Sequence, residues 1–378
     1  MREGRSIVLR GMTWDHPRGY DPLTACSETW RARSGVCITW ERRSLQDFES
    51  FPVSELATRY DLIVIDHPHV GQVTREGCLA PLGDAADCEK LARGAVGASV
   101  QSYFWAQRLW ALPIDAAAQV QAWRPDRLSA PLADWVSVLA LAAEGSVLCP
   151  LRPPHNLMAL FTLCGLAGYP GRVQAGDLLE PGAGQEAYAR LSELCARLDR
   201  ACLAMDPIAV LELMAGPYSP AACAPLIYGY VSYCRSGAHG APIAFGDLAP
   251  LVRGGPRSGS ALGGTGIAVS AQSPEREAAT AFARWVADAE AQSGPYLAAG
   301  GQPAHRAAWE DPLANRDSLD FFRNTRTTLE GAWVRPRHAG YMTFQVAAAE
   351  RLNEALAMRE PAATVIAAIN RLHREVSS

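Results

Sequence analysis

The chain has 378 residues, 49% hydrophobic and 20% charged, with a formal net charge of −4 at pH 7. This balance is that of a globular protein and excludes disordered, fibrous and strongly basic nucleic-acid-binding chains. The length points to two domains.

Met1-Arg-Glu-Gly-Arg-Ser6 runs straight into Ile7-Val-Leu-Arg-Gly-Met-Thr-Trp14. A secretory leader would need a basic start, an apolar run of about 7–15 residues and a small-residue cleavage site. With Met1 as the native start the expected location is cytoplasmic; a leader removed upstream would make it periplasmic. No stretch approaches the ~20 apolar residues of a membrane span, so membrane insertion is not expected. Ten cysteines are scattered with no Cys-x-x-Cys pair. Several, such as Cys149 and Cys164, sit in apolar runs and read as small buried hydrophobes of a reducing compartment. A nucleophile among them is the alternative.

Short β-rich apolar runs alternate with helical patterns, which predicts an α/β fold with largely parallel sheets. Strands are expected at 6–9, 36–40, 62–65, 109–112, 147–150 and 266–270. Helices are expected at 20–33, with Pro22 in the first turn, and at 54–59. Residues 132–144 form another, with Asp134 near its start and Gly145 after its end. Residues 155–166 are almost wholly apolar and predict a buried helix. Further helical patterns cover 185–200, 207–214 and 274–291, and two more, 342–358 and 361–376, close the chain. The Gly- and Ser-rich stretch 254–264 reads as a loop. A phosphate cradle would need a helix directly after it, and a strand follows instead.

The first strand ends in Trp14-Asp15-His16-Pro17, the third in Asp66-His67-Pro68-His69, and the fourth in Pro113-Ile114-Asp115. In a parallel sheet these ends share one edge. Asp15, His16, Asp66, His67, His69 and Asp115 are therefore expected on one wall of a ligand cleft. Three readings compete. The groups hydrogen-bond a polyol or an amino, carboxyl or amide ligand, with Trp14, Tyr20 and Trp105 or Trp123 as an apolar face. Or Asp66 and His67 perform general acid/base catalysis. Or the side chains are structural: strand-end caps, turn formers before Pro17 and Pro68, and partners of Arg18 and Arg75. His67 and His69 with Asp15 or His16 offer metal-type donors, but at the spacing of no known motif; no metal and no cofactor is expected.

Further along, His155 and Asn156 open the apolar helix. Its N-terminus can meet an anionic ligand group, or Asn156 can serve as its cap. Residues 225–233 read as a strand with Tyr228 and Tyr230 on one face and Tyr233 on the other, a ligand clamp or core packing. Gly264, between Gly263 and Thr265, either lets the backbone approach a ligand or forms a hinge turn of positive φ.

The order of these elements resembles the extracellular solute-binding protein family 1, the sugar-binding components of ABC importers. Leu109-Trp-Ala-Leu-Pro-Ile-Asp115 followed by Trp123-Arg-Pro-Asp126 resembles the family's first interlobe crossing. Leu262-Gly-Gly-Thr-Gly-Ile-Ala-Val-Ser270 followed by Ser273-Pro-Glu-Arg-Glu-Ala-Ala-Thr-Ala-Phe-Ala-Arg-Trp285 resembles the return crossing. Residues 290–306, and Arg335-Pro-Arg337 through Gly340-Tyr-Met-Thr-Phe344 with the two closing helices, also fit. The resemblance implies a two-lobed type II periplasmic-binding-protein fold with a cleft between lobes. The N-lobe would hold 1–114 plus 266–315, the C-lobe 116–262 plus 316–378, with hinges near 113–116, 262–266 and 315. It implies binding of a small polar solute, sugar-like or another small organic molecule, with an ABC-transporter permease as partner if the chain is exported. The alternatives are a cytosolic enzyme on this scaffold using the Asp/His cluster, and a solute-sensing adaptor inside the cell.

Overall fold

The computed structural model describes residues 7–45, 47, 52–171, 176–235 and 240–377. Residues 1–6, where the leader expectation and the start of the first expected strand fall, lie outside the described residues. In chain order the strands are β1 (Val8–Trp14), β2 (Cys37–Arg43), β3 (Leu62–Ile65), β4 (Leu79–Ala80), β5 (Phe104–Trp105), β6 (Arg108–Leu109), β7 (Leu112–Trp123), β8 (Cys223–Tyr228), β9 (Ala244–Gly246) and β10 (Leu262–Ser270). The chain forms two compact units. Unit 1 comprises Met1–Ala116, Gly263–Ala314 and Arg337–Ala339; unit 2 comprises Ala117–Leu262, Asn315–Pro336 and Gly340–Ser378. β7 and β10 run from one unit into the other along the chain.

In unit 1, β1 lies parallel to both β2 and β3. β3 is the uninterrupted apolar run Leu-Ile-Val-Ile, buried at every residue, as a strand covered on both faces must be. β10 runs antiparallel to β3, pairing Gly266 with Ile65 and Val269 with Leu62. The sheet is therefore mixed, not largely parallel as expected. A strand that re-enters at the carboxyl edge of β3 can only run back toward its amino edge. The first helix, α1 (Pro17–Ser34), starts three residues earlier than the sequence suggested. His16 caps it by accepting from Arg18 N through Nδ1 at 3.1 Å, and Pro17 fills the first turn, where its missing N–H costs nothing. Gly35 ends it in the left-handed region at φ 76°. Trp30 of α1 packs on Phe282 and Trp285 of the helix Arg276–Val286, with ring centroids 6.0 and 5.2 Å away. The expected single helix 274–291 breaks at Asp288, whose carboxylate accepts from Ala289 N and starts the short helix Ala289–Ser293.

The expected strand 109–112 is instead β6 and the start of β7. Pro113 is the second residue of β7, a position where a strand tolerates the lost donor, and β7 continues buried to Trp123. In unit 2, β7 pairs antiparallel with β8 and β9. The expected strand 147–150 reduces to one parallel bridge, Val147 to Cys223, because Pro150 offers no further donor. The helices of this unit include α2 (His155–Leu166), buried along its whole length, a helix at Pro181–Cys195, α3 (Tyr341–Met358) and α4 (Ala362–Ser377). Among the described residues no helix is long and apolar enough to cross a membrane.

Candidate functional site

In unit 1 the parallel pairing of β1 with β3 puts Asp15 and Asp66 beyond the same edge of the sheet. β10 begins at that edge, since Gly266 faces Ile65. Two residues earlier, Gly264 has φ +103°, and a Cβ on it would collide with the carbonyl oxygen of Asp115. Only glycine fits so close a backbone approach at that φ. The ends of β1 and β3, the start of β10 and residue 115 thus form one rim.

Within the rim most carboxylates already answer a protein group. Asp115 receives two bonds from Arg18, Nε at 2.8 Å and Nη2 at 2.5 Å, and both side chains are shut from water at 4% and 0% exposure. Burial pushes the Asp115 carboxyl up from its ordinary value, against the pull of the Arg18 guanidinium. This joins the first turn of α1 to the start of β7. Gln302 secures the next residue: its carbonyl accepts from Ala116 N at 3.1 Å, and its Nε2 donates to Ala116 O at 2.8 Å. Asp15 is exposed and faces Arg42 at 3.2 Å, and the same guanidinium lies 4.6 Å from the Tyr20 ring centre. Trp14 is in the core. Asp66 accepts from His67 N at 2.8 Å and lies 3.1 Å from His67 Nδ1, so it caps the 3-10 turn His67–His69. The buried His67 ring meets Tyr103 edge-on at 6.3 Å, and Tyr103 donates to Ile65 O at 3.1 Å. His69 is buried one turn on. Thr265 is buried, and its Oγ1 has no hydrogen-bond partner among the described residues.

In unit 2 the corresponding feature is the start of α2. His155, its first residue, is 5% exposed, and its Nδ1 has no partner among the described residues. Burial pushes its pKa down to about 4, which keeps the imidazole neutral at pH 7. Asp206 opposes that shift, and Arg152 and Arg335 add to it. Asn156 does not cap the helix from outside. Its Oδ1 accepts from Leu157 N at 2.6 Å, and its Nδ2 donates to Ala349 O of α3 at 2.8 Å. One turn earlier on α3, Gln345 accepts from Arg335 Nη1 at 3.0 Å, while Arg335 Nε donates to Leu262 O at 3.2 Å. The start of α2 thus adjoins the α3 turns of Ala349 and Gln345, and Gln345 holds Arg335 from the segment before α3. Two turns along α2, Thr162 donates to Gln119 Oε1 at 2.7 Å and accepts from Ala261 N at 3.2 Å; the buried Gln119 Nε2 has no partner among the described residues.

The tyrosine pair differs from expectation. β8 ends at Tyr228, and Gly229, packed against the Phe321 ring, lets the chain turn into a 3-10 segment, Val231–Cys234. Tyr230 thus shares no strand face with Tyr228. Tyr228 donates to Ala261 O at 3.2 Å, and Tyr230 meets Tyr233 edge-on at 6.3 Å.

Sequence reasoning named neither Gln302 nor the Arg335–Gln345 pair as a site residue. Both arginine and glutamine lay in segments compared with the family, but nothing local distinguishes a buried glutamine from a surface one.

Residues 53–318, more than two thirds of the chain, match a family model described as bacterial extracellular solute-binding protein. No curated protein sequence matches the chain. Solved structures share its fold from end to end. Maltose-bound MalE3 of T. maritima is 16% identical with a TM-score of 0.80, over 97% of this chain and 99% of that one. An ABC transporter solute-binding protein of Agrobacterium radiobacter K84, in complex with ribitol, is 17% identical with a TM-score of 0.78, over 98% of each chain. One of Thermotoga lettingae TMO, bound to α-D-tagatose, is 14% identical with a TM-score of 0.81, over 99% of this chain and 100% of that one. At such identities the likeness speaks for the fold, the two-lobed periplasmic-binding type.

Proposed function

Because this chain belongs to the bacterial extracellular solute-binding proteins, we propose that it binds one small hydroxyl-rich solute, of the sugar or polyol class, and delivers it to the permease of an ABC importer. The observation that carries the reading is the family match, which spans most of both units. Three neighbours of the same fold hold maltose, ribitol and tagatose, which supports the solute class.

Among the described residues, each unit has buried polar atoms without a hydrogen-bond partner: Thr265 Oγ1 in unit 1, His155 Nδ1 and Gln119 Nε2 in unit 2. Leaving a buried donor or acceptor unmade costs about 1–3 kcal/mol, so such atoms are normally filled by water or ligand. Hydroxyl groups, each donor and acceptor, suit that task. In this reading Asp66 and His67 shape the rim and transform nothing, so bound solute is recovered unchanged.

As an importer component the protein works outside the cytoplasm. A second reading, an intracellular solute sensor on the same scaffold, is favoured by the ten cysteines, all of them free thiols. Isothermal titration against maltose, ribitol, tagatose and related sugars and polyols tests the proposal. At least one is expected to bind at about micromolar Kd or tighter. Heat-silent titrations throughout, with no shift in melting temperature, would overturn it.

A further inference from the structure

Unit 1 holds a cavity of about 160 Å³ lined by none of the residues named so far as solute candidates. An apolar cavity of about 150 Å³ takes one benzene ring, so an occupant of roughly that size fits. Leu91, Val100 and Leu112 give it an apolar wall. Three polar groups share the lining: Lys90, the only lysine of the chain, Asp288 and His305. Lys90 and Asp288 are exposed, and neither makes an ion pair among the described residues. The Asp288 carboxylate accepts from Ala289 N at 2.7 Å through one oxygen, Oδ1. The His305 ring is partly buried, and its Nδ1 accepts from Ala307 N at 3.2 Å. In a neutral imidazole that bond places the ring proton on Nε2. Burial, with a smaller push from Arg306, lowers the His305 pKa against the pull of Asp288, so the ring is neutral at pH 7. Its Nε2–H has no hydrogen-bond partner among the described residues. Gly94, also in the lining, makes room for the ring: a Cβ there would come within 2.5 Å of Nε2.

We propose that this cavity is a second binding site, for a free α-amino acid with a small branched apolar side chain. The amino-acid carboxylate accepts from the Lys90 ammonium and from Nε2–H of His305, the ammonium donates to Asp288, and the side chain lies against Leu91, Val100 and Leu112. A zwitterion answers both charges of the lining at once. A plain carboxylate would meet Asp288 uncompensated, a plain amine would meet Lys90, and a sugar would use neither charge. An occupant also braces the start of β7, because Leu112 is the first residue of that strand and Ala304, across the cavity lining, donates through its N–H to Ile114 O at 3.3 Å. The inference goes beyond the solute reading and does not depend on it.

The test is isothermal titration of the full chain at pH 7.5 and low salt with L-valine, L-leucine, glycine, 3-methylbutanoate and 2-methylpropylamine. Valine or leucine is expected to bind with a Kd between about 10 μM and 1 mM, and the three compounds lacking a charge or a side chain at least about 10-fold more weakly. Because Lys90 is the one side-chain amine, acetylation by an N-hydroxysuccinimide ester followed by mass spectrometry reads the site directly. A saturating amino acid should slow acetylation of Lys90 at least about fivefold and leave the α-amino group unprotected. Lys90→Gln, Asp288→Asn and His305→Asn should each weaken binding by about 10-fold or more; the two asparagines keep the cap acceptors for Ala289 and Ala307. Circular dichroism checks folding, and should His305→Asn fail to fold, Lys90→Gln and Asp288→Asn decide. Equal binding of 3-methylbutanoate or 2-methylpropylamine would overturn the zwitterion. Amino-acid binding that these variants leave unchanged, or that does not protect Lys90, would put the amino acid elsewhere and overturn the site. Silence across the panel would overturn it too, and all of these outcomes leave the sugar and polyol titrations to judge the solute reading alone.

Discussion

Removing Asp115 while leaving Arg18 in place should be among the most damaging single changes in unit 1. The pair makes two parallel N–H···O bonds at 2.8 and 2.5 Å, with the arginine side chain 4% exposed and the aspartate fully buried. Asp115→Ala strands a guanidinium away from water, and breaking a buried pair in this way costs about 3–5 kcal/mol. Replacing both partners, Arg18→Met with Asp115→Leu, removes the charge together with its partner and should cost far less, about 1 kcal/mol or under. Urea unfolding followed by tryptophan fluorescence reads both, with the wild-type slope as a check on cooperativity. The rim geometry predicts a second effect: α1 begins one residue before Arg18, so the His16 turn loses its anchor on β7 and solute affinity falls with stability. A loss below about 1 kcal/mol for Asp115→Ala, or a double variant as unstable as the single one, would refute the reasoning.

Other outcomes follow from the same structure. Gly264→Ala should lower stability by at least about 1–3 kcal/mol, since φ is +103° and the methyl meets the Asp115 carbonyl; a melting temperature equal to wild type contradicts this. His155 has a folded-state pKa of about 4 against about 6.5 in an unfolded chain. The unfolded state therefore takes up a proton first, and stability is lost as pH falls from about 6.5 toward 4, by up to about 3 kcal/mol. His155→Leu should flatten that part of the pH–stability curve, and an unchanged slope would exclude the assignment. Burial raises Cys26, Cys164 and Cys223 to about 12 and leaves only Cys37 and Cys195 partly exposed. A thiol reagent should label at most those two quickly in the native protein, and all ten after unfolding in guanidinium.

The parts of the fold visible in the sequence are those whose burial pattern is local. β3 is a four-residue apolar run between Asp61 and Asp66, α2 is an almost wholly apolar stretch, and the closing helices show apolar periodicity over several turns. The two-lobed fold itself followed from the crossing segments around Asp115 and Gly264. The direction of β10 was not legible, because it depends on where the chain re-enters the sheet. The bond of Asp115 to Arg18 spans 97 positions, and in the sequence Asp115 looks like any polar strand end. The same holds for His155: that it opens a helix is visible in the pattern, but that its Nδ1 is buried without a partner among the described residues depends on tertiary packing. Tyr230 left the expected strand because of one glycine packed on Phe321, a contact no periodicity records.

Native mass spectrometry of the protein as purified, followed by release and identification of whatever small molecule accompanies it, tests the account most directly. One hydroxyl-rich solute per chain, exchangeable by dialysis and chemically unaltered after long incubation, is the predicted result. A chain that carries nothing and stays unliganded at millimolar concentrations of every sugar and polyol offered would contradict it.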